Sequence, residues 1–246
     1  MNLARRGGFV LVVALVVLGG CSSGGNKQDQ ILDELADLDK ETVFDQAEQL
    51  YSEKEYQKAR DLFAFVYDSF PNDPLGHKAA LRVADTYSVK NDVTSLTEAR
   101  LRYRDFANRY PNDPDRDYAL LMVGHTYSAR KLRPDRDLSD IQQALGAYQQ
   151  LVNLYPNSRY MPEAQDRMND LNELLAKHEW FVAQFYIRNK RYLGALWRLE
   201  YIRENYPNYS QIEAVNEKIP EMKTILEERE SAWKKQLEEL KKESED

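Results

Sequence analysis

Cys21 is the only thiol in the chain, and its setting is the one place where the sequence offers covalent chemistry. It directly follows Leu18-Gly19-Gly20, at the exit of the apolar run Phe9 to Leu18. A single cysteine leaves no internal disulfide framework and no Cys-rich zinc site. The three histidines, His77, His125 and His178, stand far apart, and none pairs with another at a metal-helix spacing. Phosphate loops, Gly-rich dinucleotide turns and G-x-S-x-G elbows are missing. Beyond the first 25 residues glycine occurs only at Gly76, Gly124, Gly146 and Gly194. The 41 acidic residues read as solvated charges on helix faces. The sequence therefore predicts no catalytic set, no metal and no cofactor apart from what Cys21 carries.

Arg5 and Arg6 precede the apolar run, which at ten residues is too short for a comfortable bilayer span of roughly 20. Residues 1–20 read as a signal peptide. Leu18-Gly19-Gly20-Cys21 resembles the bacterial lipobox, in which the cysteine receives S-diacylglycerol and, after cleavage, an N-acyl chain. Ser22 rather than aspartate follows, which by resemblance to the enterobacterial sorting rule favours the outer membrane. Residues 21–30 have almost nothing to bury and read as a lipidated flexible tether.

The remaining chain must be read through its prolines. Four segments end in an aromatic, a proline and an asparagine: Phe70-Pro71-Asn72, Tyr110-Pro111-Asn112, Tyr155-Pro156-Asn157 and Tyr206-Pro207-Asn208. Twelve positions before each proline stands an alanine: Ala59, Ala99, Ala144 and Ala195. Further upstream a small residue precedes a large apolar one by three: Ala47 with Leu50, Ala84 with Tyr87, Gly124 with Tyr127, Ala183 with Tyr186. The cell describes a helix hairpin in which small residues let the helices approach and proline ends the second helix. Asp73-Pro74 and Asp113-Pro114 read as N-cap and first-turn proline of the next helix. The pattern resembles the tetratricopeptide repeat, so the expected fold is all-α: a superhelix of four hairpins followed by a degenerate fifth repeat or capping helices.

Two departures from that cell have a mechanical meaning. Extra residues in repeats two and three should lengthen the hairpin turns, around Asn91 to Ser95 and Lys131 to Ser139. Between Pro156 and Ala183 fourteen extra residues amount to about four helical turns, so the first helix of repeat four should be elongated without changing its facing. Ala164, Met168, Leu171, Leu174, Leu175, Trp180 and Phe181 form its apolar stripe. After Pro207 the pattern weakens, and Pro220 predicts a helix start or a kink. From Glu227 onward eight acids and five bases in twenty residues read as a solvated capping helix. The expected organisation is repeats one and two over 31–112, repeats three and four over 113–210, and the weakened end over 211–246.

Most tyrosines occupy repeat positions and are expected to pack. The first helix of each hairpin lines the inner groove in such arrays, and projecting the pattern places Phe44, Glu48 and Tyr51 there from repeat one. Lys78, Leu81 and Asp85 follow from repeat two, and Tyr118, Leu121 and His125 from repeat three. The mixture suits an extended peptide with an apolar end. Packing of residues Ile31 to Leu38 over the same surface is an equal competitor.

Three stretches go further: Arg136-Asp137 with Ala144 seven later, Tyr155-Pro-Asn-Ser-Arg-Tyr160, and Leu175-Ala-Lys-His-Glu179 running into Val182-Ala183 and Tyr186. Together with the lipobox they resemble the BamD family, tetratricopeptide lipoproteins of the outer-membrane β-barrel assembly machinery. The resemblance implies a lipid-anchored scaffold on the periplasmic face of the outer membrane. It further implies docking on a POTRA domain of the barrel-forming subunit BamA, other assembly lipoproteins as neighbours, and recognition of unfolded barrel-protein peptides by the N-terminal groove. The family's BamA-pairing arginine matches Arg198 in Trp197-Arg198-Leu199-Glu200. Another periplasmic repeat lipoprotein, pilotin-like or an envelope-enzyme adaptor, would share the lipobox and the repeats but not the Leu-Ala-Lys-x-Glu segment. A lipid-anchored enzyme is a remote third reading.

Charge adds an exclusion. The net charge of −7 lacks the basic face that phosphate contacts demand, so nucleic acid is not an expected partner. Loss of Arg5 and Arg6 with the signal segment leaves 32 bases against 41 acids, a charge of −9. Such a chain gains little from an anionic lipid surface, and attachment should rest on the acylated cysteine and protein partners.

Overall fold

The computed structural model describes residues 38–129 and 138–243. Residues 1–37, with the expected signal segment, Cys21 and tether, residues 130–137, with Arg136, Asp137 and most of the long turn expected in repeat three, and residues 244–246 lie outside them. The chain divides into units 1–39 and 40–246, and the second carries the architecture. Nine helices follow one another among the described residues: α1 (Lys40–Ser52), α2 (Tyr56–Ser69), α3 (Pro74–Ser88), α4 (Val93–Arg109), α5 (Arg116–Ser128), α6 (Ser139–Leu154), α7 (Met161–Arg188), α8 (Tyr192–Asn205) and α9 (Ile212–Glu243). Each packs mainly on its neighbours in the chain, as a tetratricopeptide array requires. None of the described helices is long and apolar enough to cross a membrane.

The aromatic-Pro-Asn cell is a helix stop followed by a β-turn. Phe70, Tyr110, Tyr155 and Tyr206 are all C-caps with ψ between 54° and 67°, because a residue before proline is driven out of the α region. Their carbonyls then accept from the backbone three residues on, at Asp73, Asp113, Ser158 and Tyr209, with proline at the favoured second turn position. The repeat alanines Ala47, Ala59, Ala84, Ala99, Ala144, Ala183 and Ala195 are all fully buried. Gly124 takes this role in repeat three, and a Cβ there would lie 2.3 Å from the Tyr148 ring.

Repeats one and four share one hairpin turn. Glu55 N donates to Leu50 O at 2.9 Å and Arg191 N to Tyr186 O at 2.9 Å, closing Schellman motifs around Lys54 (φ 65°) and Lys190 (φ 58°). In repeat two the extra residues do not form the expected longer turn. Val93 to Ser95 are helical, so the insertion extends α4 at its N-terminus, where Asp92 caps Ser95 N at 2.9 Å. The capping expectation holds for Asp73, which accepts from Leu75 N at 2.9 Å. It fails for Asp113: the cap residue of α5 is Asp115, and Asp113 Oδ1 instead accepts from Asp115 N at 2.9 Å in the preceding turn.

Helix α7 has 28 residues, the predicted elongation, and joins two buried clusters. Ala164, Leu171 and Leu175 belong to the first, with Tyr103, Tyr148 and Leu151. Ala176 and Ala183 belong to the second, with Leu199, Ile202, Val215 and Met222. Phe181 departs from the expected stripe and is 53% exposed. Helix α9 neither starts at Pro220 nor breaks there into separate elements. It begins at Ile212 and includes the proline, whose missing N–H is tolerated because Val215, Ile219 and Met222 anchor the flanking turns in the core.

Candidate functional sites

The residues projected onto the N-terminal groove surround a side chain that the repeat pattern does not single out, Arg82 on α3. Its guanidinium makes a two-pronged ion pair with Glu48 of α1, Nε lying 2.7 Å from Oε1. Its Nη1 donates to Asp85 Oδ2 at 2.9 Å, and its carbon lies 4.0 Å from the centroid of the Tyr51 ring. Asp85 Oδ1 accepts from Tyr103 Oη of α4 at 2.6 Å and from Tyr118 Oη of α5 at 2.8 Å. One buried carboxylate thus ties α3, α4 and α5 together, and Arg82 carries the tie to α1. Burial, and secondarily Asp85, raises both tyrosine pKa values. Burial opposes the charge of Arg82, but hydrogen bonds to Glu48 and Asp85 outweigh it and raise its pKa.

This geometry corrects four of the groove assignments. Phe44, Leu81, Asp85 and Leu121 are buried. The helices pack through a wider stripe than one residue per turn, so Leu81 and Leu121 join the core, while Phe44 packs edge-on against Phe63 at 5.3 Å. Glu48, Tyr51 and Tyr118 remain partly accessible, and Lys78 is exposed with Nζ 5.0 Å from the Phe44 ring centroid. His125 belongs elsewhere. Its Nε2 lies 3.3 Å from Glu163 of α7 and its ring packs edge-on against Tyr148 of α6. Burial lowers its pKa, against the opposing influence of Glu163. Arg82 was detectable in principle: it lies four residues after Lys78 on the helix face already singled out. Tyr103 was assigned to packing, and only the fold turns its hydroxyl onto Asp85.

A second surface lies on the fourth hairpin. Arg198 Nη1 donates to Glu179 Oε2 of α7 at 2.7 Å, and that contact raises the arginine pKa. Glu179 ends the Leu-Ala-Lys-His-Glu segment, so the segment's carboxylate positions the arginine. Around it α8 is apolar on both faces. Leu196, Leu199 and Ile202 point into the core, while Leu193, Trp197 and Tyr201, spaced by four, stand outside. Trp197 is 66% exposed, and Phe181 and Phe185 add two exposed aromatics on α7. Among the described residues no cluster of three or more His, Cys, Asp or Glu could hold a metal ion.

An all-α tetratricopeptide-like array with an internally satisfied polar hub and one open aromatic face defines a scaffold of helix hairpins. Residues 36–237 match the family YfiO, described as outer membrane lipoprotein, and the chain belongs to that family. The outer membrane protein assembly factor BamD of Rickettsia prowazekii is 25% identical over 226 residues, covering 87% of this chain and 82% of the relative. That of Neisseria meningitidis serogroup A is 27% identical over 215 residues, covering 83% and 79%. The assembly factor BamD of Xylella fastidiosa 9a5c is 34% identical over 86 residues, and there the match spans 33% of this chain and only 30% of the relative's length.

Proposed function

We propose that this protein is a lipid-anchored assembly factor of the outer membrane that docks on a BamA POTRA domain and assists the folding and insertion of β-barrel proteins. Its anchor is acylated Cys21. The observation that carries the docking is the exposed stripe of α8, Leu193, Trp197 and Tyr201, with Arg198 beside it. Exposed Trp197 and Tyr201 on the same helix as an arginine have the composition of an interface hot spot. The ion pair with Glu179 holds the guanidinium in place while 43% of the side chain remains exposed, so little ordering entropy is lost on binding. The N-terminal groove supports the substrate role: Glu48, Tyr51, Lys78 and Tyr118 offer charge and aromatic surface on a frame fixed by the Arg82 and Asp85 network. Assembly-factor relatives aligned over most of this chain support the same reading.

Affinity purification from solubilised envelopes tests it. BamA is expected in the eluate of the wild-type chain and depleted about tenfold or more in that of Arg198→Glu, since a like charge at a desolvated contact is costly. Helicity should stay intact while the melting temperature falls modestly, because the new carboxylate faces Glu179, whose side chain is only 13% exposed. Arg198→Gln, which can keep a hydrogen bond to Glu179, should deplete BamA with a smaller change in melting temperature. A wild-type eluate holding a pilus secretin or a peptidoglycan synthase in place of BamA would move the protein to another envelope scaffold.

A further inference from the structure

The fourteen residues added to α7 create a surface that an ordinary hairpin does not have. They carry Asn169, Asn172 and Glu173 to the place where α8 ends and the chain turns through Tyr206-Pro207-Asn208-Tyr209 toward α9. The turn is pinned to α7 by Ser210, whose N and Oγ donate to the two oxygens of Glu173 at 3.0 and 2.5 Å. Lys177 Nζ lies 3.2 Å from the same carboxylate. Between the turn and the helix lies an open cleft of about 300 Å³, lined by Asn169, Asn172, Asn205, Asn208, Tyr206 and Glu173, among others. Asn205 Nδ2 is engaged with Tyr201 O at 2.9 Å. The carboxamides of Asn169, Asn172 and Asn208 make no hydrogen bond within the described residues.

We propose that this cleft binds the main chain of an extended polypeptide. Each carboxamide presents an acceptor oxygen and a two-proton donor, the same complement as a peptide unit. Three unengaged carboxamides therefore offer donors and acceptors together with no net charge, since the one carboxylate in the lining is answered by Lys177 and Ser210. A phosphate or a C-terminal carboxylate would call for a cation in the lining. A strand-like backbone, whose N–H and C=O groups are unpaired until it enters a sheet, can use both the donors and the acceptors of this lining. Tyr206 adds a ring edge against which an adjacent side chain can lie. Recognition through backbone is indifferent to sequence, which suits unfolded barrel segments that share a conformation and not a motif. In that respect the inference rests on the assembly-factor reading and extends it to a second substrate contact, on the repeat that also docks the partner.

Fluorescence anisotropy of a labelled, acetylated and amidated ten-residue peptide of alternating Thr and Tyr, titrated with the detergent-solubilised full chain, tests the site. The combined variant Asn169→Ala, Asn172→Ala, Asn208→Ala is expected to bind about tenfold more weakly, the loss of two to three hydrogen bonds. Methylating alternate backbone nitrogens of the peptide should weaken binding to the wild type by a similar factor. Asn172→Asp, which keeps the shape and loses the donor, should show a smaller loss with an unchanged melting curve, separating the site from the fold. Equal binding by the triple variant, or indifference to N-methylation, overturns the proposal. So does binding of chitotetraose that the triple variant abolishes while peptide affinity stays constant, which would make the cleft a glycan site. BamA co-purification with the triple variant should persist. Loss of BamA from the wild type with peptide binding intact would sink the assembly reading alone.

Discussion

In the first three hairpins Tyr103 and Tyr148 are fully buried, and Tyr118 turns its hydroxyl onto Asp85. In the fourth, Phe185, Trp197 and Tyr201 stand in solvent. The same residue class packs in one region and is displayed in the other, and the difference follows from what each hairpin offers a ring. A buried tyrosine needs an acceptor for its hydroxyl; Asp85 receives those of Tyr103 and Tyr118, and Ser128 Oγ lies 3.1 Å from that of Tyr148. Among the described residues no helix covers the outer face of α8, so Trp197 and Tyr201 stay exposed. The N-terminal hairpins therefore act as a braced frame and the fourth as an adhesive face.

Removing the brace should produce the largest effect. Asp85→Ala strands the buried hydroxyl of Tyr103 and the partly buried one of Tyr118 and unbalances Arg82, at a cost of about 3–5 kcal/mol. Chemical denaturation measures the loss, and hydrogen exchange should place it in α3 to α5 while α8 and α9 keep their protection. Uniform deprotection would show that the two regions unfold as one and break the comparison. Gly124→Ala comes next. Its added methyl meets the Tyr148 ring and should cost about 1–3 kcal/mol by overpacking, read as a lowered melting temperature. Trp197→Ser should change stability by less than about 0.5 kcal/mol, being on the surface, and yet deplete BamA from the eluate; a large stability loss would mean that the face is packed after all.

The smallest effect concerns pH. His125 has a pKa lowered from 6.5 by burial between α5, α6 and α7, where it faces Glu163, Arg167 and Tyr148. A base with a depressed folded pKa contributes stability that is present above the unfolded value and lost as pH falls through the folded one. The array should therefore soften below about pH 6.5, and His125→Phe should flatten the change in melting temperature across that window. An unchanged slope in the variant would assign the softening to other groups.

The hairpins were legible because their signals are local. Proline forbids the helical conformation to the residue before it, and alanine at a fixed interval marks the helix crossing, so the stops at Phe70, Tyr110, Tyr155 and Tyr206 could be placed residue by residue. The elongation of α7 was legible for the same reason, as a count of turns. The groove was only half legible. Spacing put Glu48, Tyr51, Asp85 and Tyr118 on related faces, but it could not separate Lys78, which stays exposed, from Leu81 and Leu121, which the next helix covers. Nor could it show that the extra residues of repeat two would lengthen α4 rather than the turn, since Asp92 caps a helix only if the preceding chain delivers it there.

What the sequence determined by itself is periodic or covalent in origin: helix class, the number of hairpins and their stops, the long seventh helix, the excess of acid and the expectation of a lipid on Cys21. What only the tertiary structure decided is where polar groups end up when helices close on one another. Asp85 became a shared acceptor, Arg198 a braced surface cation, and the outer rings of α8 an uncovered face. The physical reason is that solvent exposure and hydrogen-bond partnership depend on which helix lies across, and that is a property of the array rather than of any one repeat.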